Sequence, residues 1–168
     1  QSLNQALHNA MSENNDIVVL GEDLLDPYGG AFKVSKGLSD RFGERVWTTP
    51  ISELGIIGLS VGMALRGLRP VAEIMFGDFL MLGADQLFNC AAKFPWMYNG
   101  QVSVPLVVRT PMGGRRGYGP THSQTLDKHF LGVPGLWVVA AHNFDDPGAL
   151  LRQSIALDDP VLFIENKA

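Results

Sequence analysis

The chain has 168 residues, of which 46% are hydrophobic and 18% charged, the composition of an ordinary globular domain. Its 13 lysines and arginines against 17 aspartates and glutamates give a formal net charge of −4, which offers no general attraction to nucleic acid or to an anionic membrane. No apolar run approaches the roughly 18 residues that a membrane-spanning helix needs. Since Cys90 is the one cysteine and no targeting segment is visible, we expect a reducing compartment, the cytoplasm.

Short β-branched runs alternate with helical periods along the chain. The predicted strands are residues 17–20, 46–48, 71–74, 104–108, 136–139 and 161–164, and the predicted helices are about 2–13, 32–42, 52–66, 78–94, 122–131 and 146–157. Several strands are apolar on both faces, as parallel sheets require. The alternation predicts one domain, a doubly wound, mostly parallel α/β sheet with helices on both faces. Because the chain starts at Gln1 inside a helical pattern, we expect it to be a fragment.

Glu53 lies in the first turn of the third predicted helix, whose remaining residues are apolar or small. That pattern predicts a helix enclosed on every side. Ser52 is a candidate N-cap; the helix N-terminus favours an anion, whereas burial favours the neutral acid. A glutamate under these opposed influences suits proton exchange with a ligand, although a glutamate that only serves the helix dipole has the same position.

A glycine-rich loop, residues 111–124, follows one strand and leads into a predicted helix at His122. Its glycines permit close approach of the backbone to a ligand, and Arg115 and Arg116 suit a phosphate or a carboxylate. The loop lacks the endings of a dinucleotide fingerprint and of a P-loop. His122 is the histidine nearest the edge where ligands bind in such sheets, and is our candidate for chemistry. A flexible surface loop with a structural histidine remains the alternative.

The motif Gly58-Leu59-Ser60-Val61-Gly62 matches the nucleophile elbow of α/β-hydrolases. That elbow requires its serine on a sharp turn directly after a strand. Ser60 is instead predicted two turns inside a helix that begins near Ser52, which argues against a hydrolase.

Eight motifs occur in order along nearly the whole chain: Gly21-Glu22-Asp23, residues 29–38, 49–53 and 67–71, Asp85-Gln86, Ala91-Ala92-Lys93, His122-Ser123-Gln124 and Pro134-Gly135-Leu136. This series resembles the beta subunit of the thiamine-diphosphate-dependent 2-oxo acid dehydrogenases, which act on pyruvate, branched-chain 2-oxo acids or acetoin. The resemblance implies that residues 1–168 are the pyrimidine-binding, transketolase-like domain. It also implies that the family's carboxyl-terminal domain is absent from this chain.

The resemblance assigns roles to four residues. Glu53 matches the glutamate that hydrogen-bonds the cofactor's aminopyrimidine and promotes the tautomer that deprotonates the thiazolium ring. Phe79 matches the aromatic ring on which the pyrimidine stacks. Glu22 matches an acid in the polar route between paired active sites, and His122 matches a histidine beside the reacting group.

The resemblance also implies metal ions and partners. A monovalent-cation site, for K+ in some members, is built largely from carbonyl groups, and it aligns with Leu106, Ser154, Ile155, Leu157 and Asp159. Because the chain has no Gly-Asp-Gly motif with a following asparagine, Mg2+ and the diphosphate are expected on an alpha subunit. The implied assembly contains that subunit, a second beta subunit and a lipoyl acyltransferase, with a 2-oxo acid as substrate. The glycine-rich helix after Ser52 suits a close helix crossing at such an interface.

Two other functions remain open at this point. One is a transketolase-like ketol transfer, against which residues 50–53 and 122–124 argue. The other is a non-catalytic, partner-binding subunit of the same fold, which retention of Glu53 and Phe79 disfavours. Since Arg115, Arg116 and Tyr118 depart from the loop typical of pyruvate enzymes, the sequence leaves the substrate and the acyl acceptor open.

Overall fold

The computed structural model describes residues 1–167, and its centre is a six-stranded sheet in which every neighbouring pair of strands is parallel. The strands are β1 (Ile17–Gly21), β2 (Val46–Thr48), β3 (Arg69–Glu73), β4 (Val107–Met112), β5 (Trp137–Ala140) and β6 (Val161–Asn166). Their order in the sheet is β2-β1-β3-β4-β6-β5. The α-helices are α1 (Ser2–Glu13), α2 (Leu38–Phe42), α3 (Glu53–Leu65), α4 (Phe94–Met97) and α5 (Pro147–Ala156).

Two apolar cores lie on opposite faces of this sheet. Val18 and Leu20 of β1 belong to the core that contains the buried face of α3. Ile17 and Val19 belong to the other core, with α1 and α5. Successive side chains of a strand point to opposite faces, so strands covered on both sides must be apolar throughout. The predicted doubly wound parallel sheet with helices on both faces is therefore confirmed.

The chain reverses its direction of travel across the sheet at β1. From β1 it passes to β2 on one side, and then returns to β3 on the other side. Such a switch point leaves a crevice beyond the carboxyl ends of the two strands, where ligands bind in open α/β sheets. Gly21 ends β1 where only a glycine fits, because a Cβ there would lie 2.6 Å from the Glu73 carbonyl oxygen.

Several predicted elements differ in the structure. The α-helix predicted at 32–42 is confined to Leu38–Phe42, because Lys33 and Gly37 adopt left-handed φ angles of +61° and +78°. The α-helix predicted at 78–94 is replaced by a 3₁₀ segment, Gly77–Gly83, and a π-helical segment, Gln86–Ala91. A close approach accompanies this change, since a Cβ on Gly83 would lie 2.5 Å from the Ile57 side chain.

The prediction of a helix at 122–131 is wrong. That region contains two single 3₁₀ turns, Pro120–His122 and Asp127–His129. Between them the Gln124 backbone N–H bonds the Asp78 carboxylate at 3.1 Å instead of a helical carbonyl. A side chain that takes a backbone N–H in this way competes with helix formation.

The fourth predicted strand, 104–108, begins and ends later than expected. Pro105 has no N–H for a ladder, and the Leu106 N–H bonds the Val104 carbonyl at 2.8 Å in a tight turn. The pairing of β4 starts only at Val107.

Helix α3 is not enclosed on every side, as its composition predicted. Its Ser52 cap is confirmed, since the Ser52 hydroxyl accepts the Gly55 N–H at 3.2 Å. Ile51, Leu54 and Leu59, however, are 83%, 51% and 47% exposed along one side. Exposed apolar side chains grouped in this way are frequent at interaction surfaces. Within residues 1–167 no helix is long and apolar enough to cross a membrane.

A buried charge cluster joins three strands near the carboxyl edge. Arg109 of β4, whose side chain is 1% exposed, donates to both carboxylate oxygens of Glu165 at 2.6 and 2.8 Å and also to Glu73. Ser35 adds a hydrogen bond to Glu73 at 2.9 Å. Burial opposes the charge of Arg109, but Glu165 and Glu73 together hold its pKa above the ordinary range. The guanidinium therefore remains protonated between β3 and β6.

Arg109→Met should lower the free energy of unfolding by about 3–5 kcal/mol, because it leaves two buried carboxylates without their cation. Arg152→Met is the matched control. It removes an exposed pair with Glu13 and should cost at most about 1 kcal/mol. Urea unfolding of both variants measures the difference. Equal losses would mean that the cluster does not stabilise the sheet as described.

Candidate active site at the carboxyl edge of the sheet

Four buried side-chain oxygens have no hydrogen-bond partner within residues 1–167, and all four lie at one edge of the sheet. They are Glu22 Oε1, Thr49 Oγ1, Asp78 Oδ2 and Thr110 Oγ1. Glu22 and Thr49 directly follow β1 and β2, Asp78 follows β3, and Thr110 is in the second half of β4. Asp78 Oδ2 faces Lys167 Nζ at 3.9 Å, which is an ion pair without a hydrogen bond. Buried polar atoms are normally paired, so the other three indicate a place where something else supplies the partner.

Glu22 and Glu53 are brought together at this edge. Glu22 is 8% exposed and Glu53 is 6% exposed. Burial raises the pKa of the Glu22 carboxyl, and the carboxylates of Glu53, Asp23 and Glu73 raise it further. A carboxyl that is favoured in its neutral form beside another carboxylate is a common arrangement for proton exchange.

Glu53 itself is held by the start of α3. The backbone of this first turn packs against the 3₁₀ segment Gly77–Gly83, since a Cβ on Gly83 would lie 3.1 Å from the Glu53 carbonyl oxygen. No residue of the described chain hydrogen-bonds the Glu53 carboxylate. The acid is therefore buried, fixed in place by the helix and available to a partner from outside.

Phe79 and His122 meet in an aromatic cluster. The imidazole of His122 lies edge-on to Phe76 and to Phe79, with ring centroids 4.8 and 5.1 Å apart. Tyr118 and Phe32 also belong to the cluster, because each packs against Phe76 and the two pack against each other. Edge-to-face pairs at these distances are favourable and fix ring orientation. The cluster thus gives a largely apolar wall that contains the imidazole of His122 and the phenol of Tyr118.

The loop that carries His122 is held at several points. Gly113 N–H bonds the Gln124 carbonyl at 3.1 Å and closes the base of the loop. Lys167 Nζ donates to the His122 carbonyl at 2.6 Å, and Asp78 accepts from Gln124. The Nδ1 atom of His122 pairs with the Thr121 hydroxyl at 2.9 Å. The alternative of a flexible surface loop is thus disfavoured.

The predicted cation residues lie elsewhere. Leu106 precedes β4, and Ser154, Ile155, Leu157 and Asp159 surround the end of α5, so all five are at the amino edge of the sheet. There Arg69 already donates to the carbonyls of Ile155 and Leu157, at 3.3 and 3.1 Å. The structure therefore separates these residues from Glu53 and His122, and the cation site stays a prediction.

The hydrolase motif has no nucleophile. Ser60 is fully buried inside α3, and its hydroxyl donates to the Ile56 carbonyl at 2.7 Å. A serine inside a helix and bonded to its own backbone cannot act as an elbow nucleophile.

Sequence reasoning missed Asp78, Phe76 and Lys167 as parts of this site. Of the segment Phe76-Gly77-Asp78-Phe79, which follows β3, only Phe79 had a predicted role. Lys167 gave no signal, because a lysine after a strand is normally exposed. Only the fold shows that its side chain is fully buried.

The site and fold together define a class of protein. It is an α/β domain whose parallel sheet gathers buried acids, hydroxyls and aromatic rings at the switch point, the place where sheets of this kind bind ligands. The chain belongs to the family of transketolase pyrimidine-binding domains, because the model of that family matches residues 1–168. The family resemblance seen in the sequence is thereby confirmed.

Relatives with assigned names support this placement. The chain is 44% identical over 168 residues to "Pyruvate dehydrogenase E1 component subunit beta-2, mitochondrial" of Oryza sativa, covering 99% of this chain and 44% of the relative. It is 41% identical to the corresponding beta subunit of Saccharomyces cerevisiae, covering 99% and 46%. It is 38% identical to "Acetoin:2,6-dichlorophenolindophenol oxidoreductase subunit beta" of Cupriavidus necator, covering 99% and 52%.

The chain spans about half the length of these relatives. Two of them are named as mitochondrial proteins, so the cytoplasmic location stays a prediction. A solved structure, "Split gene transketolase, inactive beta4 tetramer", has the same fold with a TM-score of 0.76 at 20% identity, and it covers 99% of this chain and 50% of that one.

The raised pKa of Glu22 makes stability depend on pH. A carboxyl whose pKa is higher in the folded than in the unfolded state destabilises the fold once it ionises, so stability falls as pH rises above the unfolded value near 4.5. Glu22→Gln should therefore raise the free energy of unfolding at pH 7, and the gain should vanish below about pH 4. Urea unfolding at both pH values tests this. An equal gain at both would show that charge is not the cause.

Proposed function

We propose that this domain is the pyrimidine-binding half of a thiamine diphosphate site in the beta subunit of a 2-oxo acid dehydrogenase. The observation that carries the proposal is Glu53. The residue is 6% exposed, its carboxylate has no hydrogen bond from residues 1–167, and it lies beside Glu22 at the switch point of the sheet. The relatives named as beta subunits of pyruvate and acetoin enzymes supply the reaction class.

The residues at this edge fit the cofactor's aminopyrimidine. The aminopyrimidine has polar nitrogen atoms at its edge and apolar faces. Its edge therefore needs a buried acid, and a face needs an aromatic surface. Glu53 offers the acid, and Phe79 offers an aromatic ring oriented by its edge contacts with Phe76 and His122. The unpaired hydroxyls of Thr49 and Thr110 offer further polar contacts. When bound, thiamine diphosphate supplies the carbanion and the electron sink for decarboxylation.

This chain's own residues then have separate tasks. Glu53 holds a proton at the polar edge of the pyrimidine and exchanges it there. Glu22, whose pKa is raised by burial and by the nearby Glu53 carboxylate, is the candidate for a polar route out of the site. His122 presents an imidazole from the aromatic wall towards the substrate or the acyl acceptor.

The exposed side of α3 is the proposed contact with partner chains. Ile51, Leu54 and Leu59 form an apolar stripe, and Gly55 and Gly62 beside them allow another helix to approach closely. We propose that an alpha subunit and a second beta subunit cover this surface. The alpha subunit would then hold Mg2+ and the diphosphate.

The remaining assignments belong to the same proposal. The acyl group passes to a lipoyl acyltransferase, and the substrate is a 2-oxo acid whose identity is set in part by Arg115, Arg116 and Tyr118. The carbonyls of Leu106, Ser154, Ile155, Leu157 and Asp159 are the proposed place for a K+ ion. Purification of the full-length subunit with its partner, followed by a screen of 2-oxo acids with an artificial electron acceptor, tests the reaction class.

Glu53→Gln should lower turnover of the reconstituted enzyme by at least about 100-fold, the lower range for loss of an acid–base group. Assembly should be unchanged, because glutamine preserves the shape of the side chain. Glu44→Gln is the control, since Glu44 is exposed and away from the site. Steady-state kinetics and analytical ultracentrifugation give the two readouts. Turnover within a few fold of wild type would rule out Glu53 as the acid.

His122→Ala should impair a step that involves the substrate or the acyl acceptor, while deprotonation of the cofactor continues through Glu53. Proton–deuterium exchange at the thiazolium carbon, measured alongside turnover, separates the two steps. His129→Ala is the matched control, because His129 is exposed in the neighbouring 3₁₀ turn. Loss of exchange in folded His122→Ala would place His122 in the earlier step and contradict this role.

A further inference from the structure

We propose that Lys167 is a positioning residue for His122: its buried ammonium group holds the backbone that carries the imidazole. This inference rests on the proposed function, in which His122 acts on the substrate or the acyl acceptor. It concerns a residue outside the motifs that define the site in the sequence.

The side chain of Lys167 is enclosed where β6 ends. It is 0% exposed, and its Nζ donates to the His122 carbonyl at 2.6 Å. The same Nζ lies 4.7 Å from the centre of the Phe76 ring and 3.9 Å from Asp78 Oδ2. The backbone N–H of Lys167 bonds the Met112 carbonyl at 3.1 Å, which ties this side chain to the end of β4. The side chain that carries the ammonium group therefore extends from a fixed position on the sheet.

Asp78 holds the other end of the same short segment. Its Oδ1 accepts the Gln124 backbone N–H at 3.1 Å and the Gln124 side-chain amide at 3.0 Å. Residues 122–124 are thus held at both ends by the two members of one buried, oppositely charged pair. Neither hydrogen bond involves the imidazole, so the pair fixes where the ring is without taking either of its nitrogen atoms.

A purely structural role accounts poorly for a lysine at this position. Burial lowers the pKa of Lys167, and the facing Asp78 only partly offsets this. An apolar side chain of similar length would fill the same space without the cost of a buried charge. The ammonium is therefore explained by what it contacts: a carbonyl acceptor, a carboxylate and the face of Phe76.

Phe76 connects the ammonium to the imidazole in space. The ring that lies beside Lys167 Nζ also packs edge-on against His122 at 4.8 Å. Loss of the ammonium would release the His122 carbonyl and one contact of the ring against which the imidazole rests. A displacement of about 1 Å at a reacting group can lower a rate by about 100-fold.

Lys167→Met in the full-length subunit, assembled with its partner, tests the inference. We expect kcat to fall about 10- to 100-fold, with the rate of deuterium exchange at the thiazolium carbon unchanged. Amide exchange of the peptide covering residues 113–124, followed by mass spectrometry, should become faster. Lys93→Met is the matched control, because Lys93 Nζ also donates to a backbone carbonyl, that of Pro134, at 2.6 Å, but away from this loop. It should change none of the three readouts.

A double-mutant cycle with His122→Ala identifies the route of the effect. If Lys167 acts through the imidazole, Lys167→Met should have no further effect on kcat in the His122→Ala background. If the fold-reductions in kcat of the two single variants multiply in the double variant, the inference is overturned. It is also overturned if Lys167→Met has the kcat of wild type while His122→Ala is impaired. Wild-type kcat in His122→Ala would instead overturn the role of His122 itself. Should Lys167→Met fold poorly, Lys167→Gln, which keeps an N–H donor, enters the same cycle.

Discussion

The buried pairing of Arg109 with Glu73 and Glu165 is the interaction on which the site's geometry depends. It joins β3, β4 and β6 at the edge where the ligand groups lie. Parallel strands bring their carboxyl ends to one edge, but they do not by themselves fix the distances between groups on different strands. The guanidinium does so with directed hydrogen bonds in a medium of low polarity, where such bonds are strong. Thr110 is in β4 and Asp78 follows β3, and this cluster joins both strands. Glu22 follows β1, the strand next to β3.

Much of the fold follows from local patterns in the sequence. The apolar, β-branched segments located all six strands, and the central strands β1, β3, β4 and β6, which are covered on both faces, lack the polar alternation of a surface strand. Helix α3 followed from Ser52, Glu53 and the apolar residues after them. Helix α5 followed from its helical period, and the structure adds a cap in which the Asp146 side chain accepts from the Gly148 and Ala149 N–H groups. One failure occurs where a distant residue competes with local preference. Residues 122–131 are not helical, since Asp78, far away in the chain, binds the Gln124 N–H.

The same distinction applies to the site. Glu53 is identifiable because a charged residue in an apolar helix violates the local pattern. Glu22, Phe79 and His122 required the family resemblance to be assigned roles, because a single acid or ring has no distinctive context of its own. Lys167 was not identifiable from the sequence. Its environment is made by Phe76, Asp78 and His122, which come from two other regions of the chain and become neighbours only through folding.

Helix α3 carries Glu53 on one side and the exposed apolar stripe of Ile51, Leu54 and Leu59 on the other. A rigid helix cannot shift or rotate one side without moving the other. Under the proposed function, substitutions on the exposed stripe therefore alter catalysis as well as assembly, and natural selection cannot adjust the two independently. The sequence of this helix can then change in evolution only together with the sequence of the chain that packs against it. Such coupled change would make subunits from distant organisms poor substitutes for one another even where every residue at the catalytic centre is identical.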